Sequence, residues 1–209
     1  MNLERRFFTL NNIEVRATGD TQGRMIRGHA AVFNSLSQVM MGFREQVMPG
    51  AFTETLGDDI RALWNHNTDF PLGRTAAGTL RLAEDVTGLF CEIDPPDTQM
   101  GRDAVISIQR GDVSQMSFAF NVLDETWNED QDGQIIRSLV KLKLYEVSPV
   151  VFPAYTATDV GVRGGLQVYG YIPEIPAKFL RVQEQAGGKS GQSGRFGIRK
   201  RHLDLLSRE

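Results

Sequence analysis

Along most of the first 160 residues, apolar and polar positions alternate with a period of two, the pattern of strands with one face buried. Arg6-Phe-Phe-Thr-Leu10, Ile13-Glu-Val-Arg16 and the run from Met25 to Phe33 are separated by Gly and Asp turns and predict the opening strands of a sheet. Pro49-Gly50 breaks the pattern, Thr53 to Asp59 is predicted to form a short helix, and Ile60 to His66 returns to strand. From Thr79 to Ile93, two alternating runs divided by polar residues predict a β-hairpin. Asp97 and Thr98 are N-cap candidates for a helix reaching Gln109 or Arg110, and Gly111 stands where such a helix stops. Ser117 to Leu123, Ile135 to Leu139 and Val140 to Val151 predict further strands, with a polar loop at Asn128 to Gly133. The predicted class is α+β and β-dominated, with a few helices.

After Arg163 the texture changes. Gly164-Gly165 and a stretch bearing Pro173 and Pro176 lead to a Gly/Ser-rich run from Gly187 to Gly194, then to a basic segment whose Ile198 to Ser207 is long enough only for a marginal helix. The expected organisation is one main domain over 1–163, a Pro-containing extension over 164–182, and a flexible linker with a basic tail over 183–209. Residues 178–209 hold eight Lys or Arg against three Asp or Glu, so a chain of net charge −3 has a body of −8 and a tail of +5. An acidic body argues against a dedicated nucleic-acid binder, and the tail is suited either to an acidic partner or to plain solvation. No apolar run approaches the roughly 18 residues of a membrane span, and no secretory signal is expected, since Glu4, Arg5 and Arg6 follow Met1 without an apolar segment behind them. The one cysteine, Cys91, lies in a strand-like run and reads as a small buried hydrophobe.

Three residues are candidates for chemistry. His66 ends the row Ile60, Ala62, Trp64 on the apolar face of its predicted strand, just before a polar loop. Ser117 shares a strand face with Ala119, leaving room for a carbonyl to approach its hydroxyl. Glu146 follows Leu142 and Leu144 in one parity row, where a carboxylate needs exposure or a hydrogen-bonding partner. Each also has an ordinary reading: a half-buried histidine, a strand serine satisfied by backbone, a carboxylate at a sheet edge. Other chemistries find no support. There is no Gly-x-Ser-x-Gly elbow, Gln183 occupies the first glycine position of what would be a phosphate loop ending at Lys189-Ser190, and His29, His66 and His202 are scattered without a zinc motif.

A series of phrases resembles the prohead maturation serine proteases of tailed phages, distant relatives of the herpesvirus assemblins. They are Arg27-Gly-His-Ala-Ala-Val-Phe-Asn34, Glu45 with Pro49-Gly-Ala-Phe52, Leu63-Trp-Asn-His66, Leu72-Gly-Arg74, Gly78-Thr-Leu-Arg-Leu82, Gly111-Asp-Val113, Met116-Ser-Phe-Ala-Phe120, Glu146-Val-Ser-Pro-Val150 and Phe152-Pro-Ala-Tyr155. Their order over residues 25–160 carries the likeness. The resemblance implies a largely antiparallel barrel of about seven strands ringed by helices. It also implies His66 as general base, Ser117 as nucleophile and Glu146 as third member, although Asp69 and Asp112 lie near the same motifs. No cofactor or metal is expected. The implied substrates are scaffold segments of the major capsid protein and the chain itself, cleaved inside the procapsid in the host cytoplasm, with self-association, no membrane and no specific nucleic acid. A non-catalytic scaffold or assembly protein of the same fold is the alternative, and a β-barrel binding module acting through the basic tail is another.

Overall fold

A computed structural model describes residues 3–8, 13–18, 23–37, 39, 41–151 and 171–180. The expected boundaries at 163/164 and 182/183, the Gly/Ser-rich run and the predicted terminal helix lie outside these residues. The architecture is β-dominated with few helices, in two sheets. One contains β1 (Glu4–Phe8), β9 (Gln115–Glu129), β10 (Ile135–Val150), β5 (Arg61–Trp64) and β6 (Asn67–Arg74) in that order, with β4 (Phe43–Val47) also on β10. The other runs β2 (Glu14–Thr18), β3 (Gly23–Val32), β8 (Gly88–Ile93), β7 (Leu80–Glu84). Pairing is antiparallel except along β10, which takes β4 and β5 as parallel neighbours at its two ends. Among the described residues, no helix is long and apolar enough to cross a membrane.

The long β9–β10 hairpin is the spine. Phe118, Phe120, Leu144 and Val147 share one of its faces and pack with Ile26 and Ala30 of β3, Leu89, Cys91 and Ile93 of β8, and Ala104, Val105 and Ile108 of the helix α1 (Gln99–Gln109). Each fully buried side chain of this size contributes about 1.5–3 kcal/mol. The Thr98 hydroxyl caps α1 by accepting from the Gly101 N–H, and Gly111 follows it with a φ of 81°. The helix and the β7–β8 hairpin agree with the sequence expectation because local capping and alternation specify both.

Two of the expected elements do not form as drawn from the sequence. Residues 53–59 form successive turns instead of a helix, with Thr53, Thr55 and Asp58 N–H groups donating to carbonyls three residues back. β-Branched Thr53 and Thr55 and the glycine at 57 are poor helix formers. The segment is also tied to the sheet at both ends: Leu142 N–H donates to the Ala51 carbonyl, Leu144 N–H to the Thr55 hydroxyl, and Phe52 is wedged between Phe33 and Phe118. The second failure is the strand expected to run through His66, which stops at Trp64.

On the core side of β1, the chain buries charge. Glu4, Arg6, Glu45 and Arg137 are each at most 4% exposed. Arg137 donates to Glu4 (2.7 and 2.9 Å), Glu45 (2.7 Å) and Glu125 (2.6 Å), and Arg6 to Glu45 and Glu4 (2.5 Å each). Phe120 and Trp127 lie against the two guanidinium groups, 5.7 Å away in each case. This cluster fastens β1 to β4, β9 and β10.

Candidate active site

The site is built from two departures from regular strand. β5 and β6 are joined by the two-residue turn Asn65-His66, Trp64 pairing with Asn67, and both turn residues have positive φ, 52° and 60°. Right-twisted strands favour such a turn, but glycine is the usual choice at its second position. A histidine there costs about 1–2 kcal/mol relative to an unstrained backbone. Bonds to β10 hold the turn: Asn65 N–H donates to the Pro149 carbonyl (2.9 Å) and His66 N–H to the Ser148 hydroxyl (3.3 Å). The imidazole is therefore placed by a turn; the strand row of Ile60, Ala62 and Trp64 ends before it.

The second departure is in β10. Leu144 pairs with Phe120, but Glu146 pairs with Ala119, so Tyr145 is the extra residue of a β-bulge. The parity row expected from Leu142 through Leu144 to Glu146 is broken there. Glu146 is turned onto the opposite face of the sheet, which it shares with Ser117, Ala119 and Ser148.

On that face Glu146 Oε1 lies 2.5 Å from His66 Nδ1, and the Ser148 hydroxyl donates to Glu146 Oε2 at 2.5 Å. A carboxylate that accepts from Nδ1–H fixes the tautomer with Nε2 unprotonated, the form a general base requires. The imidazole is 17% exposed and Ser148 fully buried. Ser117 stands directly across the ladder from Ser148, which puts their Cβ atoms about 4.5–5.5 Å apart. Ser117 is 1% exposed, and its hydroxyl donates to the Arg6 carbonyl of β1 at 2.9 Å rather than to His66. The structure thus joins His66 to Glu146 and places Ser117 one cross-strand position from the pair, with its proton engaged elsewhere.

The other acids near these motifs are not seen bonded to His66 or Ser117. Asp112 pairs with Arg110, and Asp69 is exposed. His29 does meet Asp85 (2.8 Å), but that carboxylate also accepts from the N–H groups of Thr87 and Gly88, which marks it as the organiser of the β7–β8 turn. Among the described residues, no group of three His, Cys, Asp or Glu could hold a metal ion. Ser148 was missed in the sequence although it sits two residues beyond Glu146 and shares its strand parity; that signal was readable, because the bulge at Tyr145 lies before both residues.

A serine one ladder position from a histidine–carboxylate pair on a β framework is the combination of side chains that serine peptidases use. The chain belongs to the caudovirus prohead serine protease family, whose model matches residues 11–167. It is similar to the prohead protease of Enterobacteria phage HK97, 28% identical over 151 residues that cover 70% of this chain. The aligned region spans 63% of that relative's length. The solved structure of the bacteriophage T4 capsid assembly protease overlaps 72% of this chain and 98% of its own, with a TM-score of 0.45 and 11% identity.

Proposed function

We propose that this chain is a serine endopeptidase of tailed-phage procapsid maturation in which Ser117 is the nucleophile, His66 the general base and Glu146 the residue that orients the imidazole. The observation that carries this reading is the His66–Glu146 pair on the same sheet face as Ser117, one ladder position away. His66 Nε2 takes the Ser117 proton as the hydroxyl attacks a peptide carbonyl and returns it to the leaving amine, and water then releases the acyl group. Ser117 must first give up the Arg6 carbonyl. Exchanging one hydrogen bond for another is a small term, since a net bond is worth about 0.5–1.5 kcal/mol, but Ser117 is 1% exposed and must also be uncovered before a peptide carbonyl reaches it.

The substrates fitting this reading are scaffold segments of the major capsid protein and the chain itself, cut inside the procapsid in the host cytoplasm. In the same reading the two sheets belong to one barrel of the herpesvirus-protease kind. Co-expression with the capsid protein tests the assignment. Ser117→Ala and His66→Ala are expected to abolish processing while the protein stays folded. Full processing by Ser117→Ala overturns it, and loss of assembly with cleavage retained points instead to a scaffolding role.

A further inference from the structure

Ser148 is bonded to both members of the acid–base pair. It is 0% exposed, its single proton goes to Glu146 Oε2 at 2.5 Å, and its oxygen accepts the His66 backbone N–H at 3.3 Å. A strand serine ordinarily bonds to nearby backbone of its own segment. Here the partners are a carboxylate two residues back and a turn 82 positions away in sequence.

We propose that Ser148 is a positioning residue for the His66–Glu146 pair, an inference that rests on the peptidase reading above. Rotation about the last side-chain torsion of a glutamate is broad and weakly restrained. With Oε1 on His66 Nδ1 and Oε2 on Ser148, that rotation is stopped, and the carboxylate plane is set against the imidazole. The His66 backbone sits at a φ of 60°, an uncommon conformation for a residue other than glycine, and the bond to Ser148 helps to hold it. One hydroxyl therefore fixes the carboxylate and the backbone of the residue it orients. It lies directly opposite Ser117, so a shift in either partner alters the approach of Nε2 to the nucleophile.

The isosteric pair Ser148→Thr and Ser148→Val separates the hydroxyl from volume, and Ser148→Ala gives the truncation. The full-length protein is titrated with a serine-directed acylating probe, and the maximal labelling rate of Ser117 is read separately from the half-saturating probe concentration. Misplacing a reacting group by about 1 Å costs up to roughly a hundredfold. Ser148→Ala and Ser148→Val are expected to lower the maximal rate tenfold to a hundredfold with half-saturation unchanged, and Ser148→Thr to retain most of it. The low-field proton resonance of the short His66–Glu146 bond should persist with Thr and vanish with Val. Equal rates and an intact resonance in the Thr and Val variants overturn the role of Ser148 and leave the peptidase reading standing. Undiminished labelling and processing in Ser117→Ala instead overturns the reading on which it rests.

Discussion

Replacing Arg137 with methionine removes one cation from a site that holds three carboxylates. Arg137 makes four hydrogen bonds of 2.6–2.9 Å to Glu4, Glu45 and Glu125, and its side chain is 2% exposed. Burial by itself disfavours a charged guanidinium, yet the Glu4 hydrogen bond and the charges of Glu45, Glu4 and Glu125 outweigh it and hold the group above its ordinary value. Methionine fills similar space but leaves Glu4 and Glu45 facing each other with Arg6 alone between them. Breaking a buried pair in this way costs about 3–5 kcal/mol. For a domain of this size each kcal/mol shifts the melting temperature by about 2–4 °C, so a fall of roughly 6–20 °C is expected. Urea and thermal unfolding of the full-length protein measure it. Adding Glu4→Gln to Arg137→Met should recover much of the loss, since the penalty comes from the unpaired charge and Arg6 then keeps Glu45 as its counter-charge. A single-variant loss below about 1 kcal/mol would refute the argument that these charges are desolvated and mutually dependent.

Two other perturbations test the packing. A Cβ added at Gly88 would lie 1.9 Å from the Ala31 carbonyl oxygen, across the β3–β8 ladder where its register shifts between His29 and Ala31. Gly88→Ala is expected to destabilise by about 1–3 kcal/mol in urea unfolding, and an unchanged midpoint would show that the two strands separate freely there. Cys91 is fully buried, and burial pushes its thiol up to about 12. Because the unfolded thiol ionises near pH 8.5, Cys91 leaves stability untouched below that pH and draws it down as pH rises towards 12. At pH 8 a thiol reagent should modify Cys91 no faster than the protein opens; labelling at the rate of a free thiol would contradict the burial.

What could be read from the sequence follows the range over which its determinants act. α1 announces itself through Thr98 and Gly111, and the β7–β8 hairpin through alternation on either side of its turn. β4 was not anticipated because Glu45 takes an inward position that alternation reserves for an apolar residue; its partners, Arg6 and Arg137, lie 39 and 92 positions away. β6 carries Pro71 and an exposed Phe70, and its pairing with β5 slips twice, which erases periodicity. The facing of Ser117 with Ala119 was legible, since β9 is regular there. The placements of His66 and Glu146 were not. Both depend on irregularities, a turn with a strained histidine and a bulge at Tyr145, that period-two reasoning passes over. Such defects persist in a sheet where they re-aim side chains, and here they bring an imidazole and a carboxylate to the face that carries the serine.

The central claim is that His66 activates Ser117. Reaction of the full-length protein with a serine-directed acylating probe, followed by mapping of the modified peptide, addresses it most directly. The account predicts that the acyl group resides on Ser117 and that His66→Ala eliminates it while Cys91 stays unmodified. Modification of a different serine, or undiminished acylation of Ser117 in His66→Ala, would contradict it.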